Sequence, residues 1–232
     1  MQEKPTLSES QTHFPDISLN IAAPNVLFQD PEQQSPAGPN DNIGRVNDLG
    51  AKTRDLLLEP LTGKAAFDGD GIFFPDGPEG PAGLKYHGPA FDAFTNNDWE
   101  LFVTCAVSDF TRNANIVTFQ SKNHKGRITV RCIAKGGFRV EVRDRENNII
   151  AVQDAMPSTR MDGKKATIGV RCYSQFVDIS INGLLVEIEK PFDLGSAEKH
   201  YDILTINGVM GKTIKSSDEL RFYGMELFGD AS

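Results

Sequence analysis

The chain has 232 residues, of which 39% are hydrophobic and 9% aromatic, and it carries a formal net charge of −8 at pH 7. A phosphate-binding surface needs clustered Lys and Arg, so this charge excludes nucleic acid as an expected partner. No apolar run approaches the ~20 residues of a membrane-spanning helix, and we expect no membrane partner either.

The chain begins MQEKPTLSESQ, which has neither the basic nor the apolar segment of a secretory signal. We therefore expect no signal peptide and synthesis in the cytoplasm. The three cysteines, Cys105, Cys132 and Cys172, lie in strand-like runs without the spacing of a zinc or redox site. They are predicted to be buried free thiols, and the sequence indicates no metal and no cofactor.

Residues 1–50 are predicted to form an extended arm and linker, because they hold six of the thirteen prolines and show no sustained hydrophobic periodicity. Within this arm, a group of apolar residues has the profile of a segment that docks on another surface. These residues are Phe14, Ile17, Leu19, Ile21, Val26, Leu27 and Phe28. Two interpretations stay open: docking on other chains of an assembly, or folding back along the chain's own domain.

The rest of the chain, residues 51–232, is predicted to be one domain, and its start is less regular than its continuation. Residues 46–61 suit either a short helix or an extended connector. Residues 64–74 read as a first strand pair whose turn is DGDG, since the further ligands of a calcium loop are missing. Residues 75–89 are predicted to be an irregular surface loop, with His87 as an ordinary surface histidine.

Strands follow from residue 91 onward, because apolar and polar residues alternate there. The predicted strands cover residues 99–107, 115–121, 127–134, 138–143, 149–154, 202–207 and 219–228. In the last of them, Gly224 is expected to mark a bulge or a close backbone contact.

Residues 164–189 are the most regular stretch and predict two strands, an Asn182-Gly183 turn and a third strand. Ile168, Val170 and Cys172 are expected on one face, and the apolar residues of the following strand, Val177, Ile179 and Ile181, on another. Some ten to twelve short strands with almost no helix predict an all-β fold, an antiparallel two-sheet sandwich.

Four segments carry a resemblance to a known fold group: AAFDGDGIFF, NDWELFVTCAVS, KKATIGVRCYSQFVDISINGLLVE, and DELRFYGMELF after YDILTINGV. In their order and pattern they resemble the concanavalin A-like jelly rolls, in particular the laminin G-like group. The resemblance covers about residues 60–230. Ala166 and Thr167 stand where many members of the group have a Trp-His pair.

The resemblance implies a fold shared by lectins, adhesion modules, polysaccharide hydrolases and lyases, and viral surface proteins, and fold alone does not choose among them. The laminarinase-type hydrolases carry Glu-x-Asp-x-x-Glu on one strand. The nearest match here, Glu141, Asp144 and Glu146, has an offset that puts Glu141 and Asp144 on opposite faces. Glu219-Leu220-Arg221 is similar to a motif of alginate lyases, but the companion Gln-x-His is absent. No enzyme activity is expected.

Two non-enzymatic functions are therefore predicted ahead of any polysaccharide hydrolase or lyase. The first is a structural protein whose arm tethers the sandwich to a larger assembly, such as a virion decoration, fibre or tail component. It would be made in a host cytoplasm, or stay there, and would bind capsid or tail subunits and copies of itself. The second is a glycan-binding module, for which the tyrosines are candidates, Tyr173 among them.

Overall fold

The computed structural model describes residues 17–20, 46–47, 55–56, 58–63, 65–67, 70–75, 82–96, 98–111, 113–173, 176–186, 192–208 and 219–229. These residues form seventeen strands and one short 3-10 helix, η1 (Asp92–Phe94). Within the described part of the chain, no helix has the length and apolar character needed to span a membrane.

The strands before the long central hairpins are mostly short. They are β1 (Ile17–Asn20), β2 (Val46–Asn47), β3 (Asp55–Leu56), β4 (Glu59–Thr62), β5 (Ala66–Phe67), β6 (Ile72–Phe74) and β7 (Gly83–His87). The later strands are β8 (Trp99–Val107), β9 (Ala114–Gln120), β10 (Arg127–Ile133), β11 (Gly137–Arg143), β12 (Ile149–Ala155), β13 (Ala166–Tyr173), β14 (Phe176–Ile181), β15 (Leu184–Val186), β16 (Ile203–Ile206) and β17 (Leu220–Gly229).

Two antiparallel sheets pack face to face. Sheet A has the strand order β15-β14-β13-β8-β17-β6-β5, and β1 also pairs with β17. Sheet B has the order β12-β11-β10-β9-β16-β7-β4. The predicted fold class, an all-β two-sheet antiparallel sandwich of the jelly-roll type, is therefore confirmed.

The alternation of side chains explains why the sheets stack. In β8, Trp99, Leu101, Val103, Cys105 and Val107 are buried, while the residues between them face outward. Burial of one apolar face per sheet removes enough apolar surface from water to hold the two sheets together. The three cysteines are buried and free, as predicted.

An aromatic cluster closes one end of this core. The ring of Phe94, on η1, lies 4.9 Å from the rings of both Phe119 and Tyr201 and 5.3 Å from that of Trp99, always in edge-to-face geometry. Phe91 adds a further edge-to-face contact to Phe119 at 5.2 Å. Such pairs contribute beyond the area they bury. The short helix η1, which the sequence pattern did not predict, thus anchors sheet A to sheet B.

The central hairpin confirms the predicted turn and corrects one detail. Asn182 and Gly183 have φ angles of 52° and 80°, as a two-residue turn of this kind requires. Ile168, Val170 and Cys172 pair directly with Ile181, Ile179 and Val177. Directly paired residues lie on the same side of a sheet, so the prediction of two different faces was wrong, and both sets point into the core.

The region before residue 91 contains more strand than expected. The predicted irregular loop over residues 75–89 was wrong at its end, because β7 lies in it and pairs with β16. The first strand pair is confirmed, with Ala66 opposite Phe73. Of residues 46–61, the described ones are extended strands, β2 to β4, apart from Leu58.

Strand β1 brings the N-terminal segment onto the domain. It pairs antiparallel with the second half of β17, with Ile17 opposite Leu227 and Leu19 opposite Met225. Leu19 is 2% exposed and belongs to the hydrophobic core. For these four residues, the structure matches the interpretation in which the arm lies along the chain's own sandwich.

Candidate functional site

The outer face of sheet A is built from rows of residues that the strand register places side by side. One row runs across three strands as Arg171, Glu100 and Phe228. The next row has Gly169 and Glu226 on either side of Phe102. Because neighbours in a row are in contact range, the register fixes which side chains meet on this face.

Aromatic rings form most of this outer face. We call the set the aromatic face, and it consists of Phe102, Tyr173, Phe176, Tyr223 and Phe228. The rings of Phe102 and Phe228 lie 6.0 Å apart at 83°, and Tyr173 stacks on Phe176 at 5.4 Å. Phe176 is 37% exposed, whereas Tyr223 is 8% exposed. Large rings on the solvent side of a sheet are a feature that calls for a function.

Charged groups lie between these rings and hold them in place. Arg171 forms an ion pair with Glu100 at 3.0 Å, and its guanidinium carbon lies 5.1 Å from the centre of the Tyr173 ring. The ammonium group of Lys165 lies 4.1 Å from the centre of the Tyr223 ring. A cation over an aromatic ring is attracted by the electrons of the ring face.

Tyr173 also has a polar partner. Its hydroxyl forms a hydrogen bond with the Asp178 carboxylate on the neighbouring strand β14. Partial burial raises the pKa of the Tyr173 hydroxyl, and the hydrogen bond and negative charge of Asp178 raise it further. The ring is therefore fixed at both ends, by Phe176 on its face and by Asp178 at its hydroxyl.

Two grooves run along the aromatic face and share Phe228. The first has a volume of about 290 Å³ and is lined by Asp98, Trp99, Glu100, Arg171, Cys172, Tyr173, Phe228 and Gly229. The second has a volume of about 530 Å³ and is lined by Leu19, Phe102, Thr104, Lys165, Thr167, Tyr223, Gly224, Met225, Glu226 and Phe228. Each groove thus combines aromatic walls with both carboxylates and cations.

The absence of a side chain at Gly169 makes room for this arrangement. A Cβ atom there would lie 2.4 Å from the Ser180 hydroxyl oxygen and 3.0 Å from the Phe102 ring. Any side chain there would displace the Ser180 hydroxyl and press on the edge of the Phe102 ring. The glycine therefore sets the depth of the aromatic face.

A third cleft lies at one end of the sandwich and is polar. It has a volume of about 780 Å³ and is lined by Gly88, Ala90, Ser121, Lys122, Asn123, Arg145, Glu198, His200 and Asp202. Beside it, His87 Nε2 lies 3.6 Å from Asp202 Oδ2. His87 is exposed, as predicted for a surface histidine, and the pairing of β7 with β16 gives it this carboxylate neighbour. No aromatic ring lines this cleft, so it offers a ligand fewer kinds of contact than the aromatic face.

The outer face of sheet B is also polar, but its groups are bound to each other. Glu141, 4% exposed, accepts hydrogen bonds from Arg131 Nη2 at 2.8 Å and from Arg143 Nε, while Arg127 Nη2 lies 4.0 Å away. Burial lowers the pKa of Arg127, and the neighbouring Arg143 lowers it further. We call these four residues the arginine cluster. Glu141 is thus a structural counter-ion.

The carboxylates considered for catalysis are not brought together. The Asp144 carboxylate accepts hydrogen bonds from Glu146 N and Asn148 N and stabilises the turn between β11 and β12. Glu141 lies within the arginine cluster. Among the described residues, no group of three or more His, Cys, Asp or Glu side chains could hold a metal ion.

The residues predicted to dock the arm are only partly described. The backbone of Ile17 pairs with Leu227, and the side chain of Leu19 is buried in the chain's own core. The others lie outside the described residues, and their docking role stays a prediction; they are Phe14, Ile21, Val26, Leu27 and Phe28.

From the sequence, the tyrosines were candidates for a glycan site, but the three phenylalanines of the aromatic face were not predicted. Of the four tyrosines, Tyr86 and Tyr201 do lie in the core, whereas Tyr173 and Tyr223 lie on the outer face. Phe102 and Phe228 occupy the outward positions of alternating strands. That alternation was the available signal: an aromatic residue at an outward position has no place in the core.

No sequence profile of a protein family matches this chain. No curated protein matches it either. The fold, however, is similar to that of solved structures of the binding domains of botulinum neurotoxins. The binding domain of botulinum neurotoxin DC in complex with rat synaptotagmin II has a TM-score of 0.62 and 12% sequence identity, with 94% of this chain and 49% of that chain covered.

Two further structures give the same result. The binding domain of botulinum neurotoxin serotype D has a TM-score of 0.59 at 11% identity, with 94% and 48% of the two chains covered. A structure of botulinum neurotoxin type C, whose cell entry is dependent upon interaction with two ganglioside molecules, has a TM-score of 0.60 at 12% identity. The match covers 95% of this chain and 49% of that chain. This chain therefore spans about half the length of these structures, and at such identity the likeness shows the fold.

Proposed function

We propose that the chain is a non-enzymatic binding module that takes a carbohydrate on the aromatic face of sheet A. The observation that carries the proposal is the combination of aromatic rings with paired charges beside two grooves on the solvent side of the sheet. A sugar ring has a face of C–H groups that packs on an aromatic ring, and a rim of hydroxyls. Those hydroxyls donate to carboxylates and accept from guanidinium and ammonium groups.

The size of the two grooves suits more than one sugar unit. Ligand-binding clefts commonly have volumes of about 300–1,000 Å³, and the grooves measure about 290 and 530 Å³. Because both are lined by Phe228, an oligosaccharide would lie across this ring with one unit on each side. Phe228 is accordingly the residue whose removal should weaken binding most.

The similar structures support a binding role in general terms. Two of them are binding domains, one of these in complex with rat synaptotagmin II, and the third belongs to a toxin whose cell entry is dependent upon interaction with two ganglioside molecules. A ganglioside carries a glycan, which agrees with the ligand class proposed for this chain. We also propose that the sandwich belongs to the concanavalin A-like jelly rolls and to their laminin G-like group, on the pattern of its four resembling segments.

The test is glycan-array screening of the full chain, followed by calorimetry with the best glycan. Phe228→Ala should weaken binding about tenfold or more, which corresponds to about 1.4 kcal/mol or more. Tyr173→Ala should weaken it less, and Tyr173→Phe should retain most of the affinity because the ring remains. Ile149→Ala is the matched control, since Ile149 is 52% exposed but lies on sheet B.

Two results would contradict the proposal. One is the absence of binding to any glycan on the array by a chain whose thermal unfolding shows it to be folded. The other is an unchanged glycan affinity in Phe228→Ala, provided that this variant unfolds at the temperature of the parent chain.

We also propose a second function, tethering to a larger assembly, in which the N-terminal segment pairs with a neighbouring chain in the way that residues 17–20 pair with β17 of the chain's own sheet. An extended N-terminal segment that adds a strand to a sheet is a recurrent way of joining chains. On this proposal the sandwich belongs to a virion as a decoration, fibre or tail component, with capsid or tail subunits as partners. Deletion of residues 1–45 should abolish incorporation into the assembly, and incorporation of the shortened chain would contradict it.

A further inference from the structure

Strand β1 fills a position on sheet A that the rest of the described chain leaves open. On one side, β17 pairs along its whole length with β8. On its other side, β6 covers residues 220–222 and β1 covers residues 224–227. We call the edge of β17 at residues 224–227 the strand slot. Without β1, its backbone N–H and C=O groups would lack strand partners, and such an edge readily accepts another strand.

The strand that fills the slot is short. It has four residues, pairs with no described strand other than β17, and buries Leu19 opposite Met225. Its described contacts include this ladder of four residue pairs and the buried Leu19 side chain. A contact of this size breaks and re-forms far more easily than the long ladder between β8 and β17.

The connection behind β1 is long enough to reach another molecule. Residues 21–45 separate β1 from the next described strand, and 25 residues in extended form span roughly 80 Å. A domain of this size has a radius of gyration of only about 16 Å. The slot of a neighbouring copy is thus within reach of the strand.

We propose that β1 is exchanged between two copies of the chain, each placing its strand in the slot of the other. The contacts in the slot are identical whether the strand comes from the same copy or from a second one, so exchange costs little in contact energy. Reciprocal exchange closes into a two-fold dimer. This inference rests on the tethering function proposed above and names a second copy as the partner.

The test uses two single variants of the full chain, Ser18→Cys and Glu226→Cys, because Ser18 lies directly opposite Glu226 in the register. The two variants are mixed, one of them labelled with nitrogen-15, and oxidised mildly. Neither chain can form this disulfide alone, and the native thiols are buried. Exchange predicts a mixed disulfide at least tenfold more abundant than with Lys125→Cys, an exposed position on the loop between β9 and β10.

Adding Leu19→Asp to the Ser18→Cys chain should return the yield to the Lys125→Cys level, because a charged side chain does not enter the core. A mixed disulfide no more abundant than that of Lys125→Cys would overturn exchange, provided that one chain with both cysteines forms the internal disulfide. Tethering is judged separately, by incorporation of the chain lacking residues 1–45, so the two failures can be told apart.

Discussion

The outer faces of the two sheets use polar side chains in different ways. On sheet B, three arginines surround Glu141, and Thr118 and Thr205 both donate hydrogen bonds to the Gly208 carbonyl at 3.2 and 2.9 Å. These threonines are fully buried. On sheet A, charged groups pair beside aromatic rings that line open grooves.

The difference separates a face that stabilises the sandwich from the face that we propose to bind a ligand. Charges that are buried and paired with each other have little capacity left for a ligand, and removing one of them lowers the free energy of unfolding. Charges at the rim of an aromatic groove remain accessible and contribute little to stability. The comparison therefore predicts that substitutions on sheet B change unfolding and those on sheet A change binding.

The largest effect is expected from Glu141→Gln on sheet B. The neutral amide removes the counter-ion of three arginines and turns an N–H₂ group toward their donors. We expect a loss of about 3 kcal/mol in the free energy of unfolding, and a fall of about 10 °C in melting temperature. Urea unfolding followed by tryptophan fluorescence measures it.

Glu146→Gln is the matched control, since Glu146 is exposed and lies on the turn after the same strand. It should change the free energy of unfolding by less than about 0.5 kcal/mol. Equal effects of the two substitutions would remove the distinction between the faces. Glycan binding should be the same in both variants.

A smaller effect is expected from Gly169→Ala on sheet A. The added methyl group meets the Ser180 hydroxyl and the Phe102 ring, and the strain should cost about 1–2 kcal/mol. Because the Phe102 ring must shift, glycan affinity should fall as well. Gly169→Ala combined with Ser180→Ala should recover part of the stability, and no recovery would show that the hydroxyl contact is not the cause.

The smallest effects are those of pH, and the two faces should respond at opposite ends of the scale. On sheet B, the hydrogen bond from Arg139 lowers the pKa of Asp154. The stability that the Asp154 carboxylate contributes is complete above the ordinary Asp pKa of about 4. It is lost as the pH falls further, through the lowered pKa. On sheet A, the pKa of Tyr173 is raised, so its stabilisation is lost as the pH rises above about 10.

Melting temperatures measured from pH 3 to pH 11 check both statements. Asp154→Asn should flatten the acid side of the curve only. The corresponding change in the free energy of unfolding should be less than about 1 kcal/mol, because the carboxylate is partly exposed. Tyr173→Phe should flatten the alkaline side only. A change on the same side in both variants would contradict the assignment of one titrating group to each face.

The strands from β8 onward were predictable, because apolar residues such as Leu101 and Val103 alternate with more polar ones, and this alternation indicates which face is buried. Their bounds match the structure to within a few residues. Strand β7 was missed, since Gly83 and the prolines and glycines before it are typical of loops, and only the partner β16 makes the segment a strand. The residues of β7 and its neighbours in sequence do not indicate that β16 pairs with them.

The candidate site was much less predictable than the fold. Alternation shows that Phe102 and Phe228 face outward, but their contact depends on the register between β8 and β17, which shifts at Gly224. Likewise, Asp202 lies near His87 only because β7 and β16 are neighbours. Register and strand order are long-range properties, and a single sequence leaves them undetermined.

The three cysteines give the molecule an internal reporter. Cys105 and Cys172 on sheet A and Cys132 on sheet B are at most 3% exposed, and burial raises the pKa of each thiol, that of Cys172 to about 12. A thiol reagent therefore reacts only when the sheets separate. The rate of modification in native buffer measures how often the sandwich opens, with no cysteine introduced by mutation.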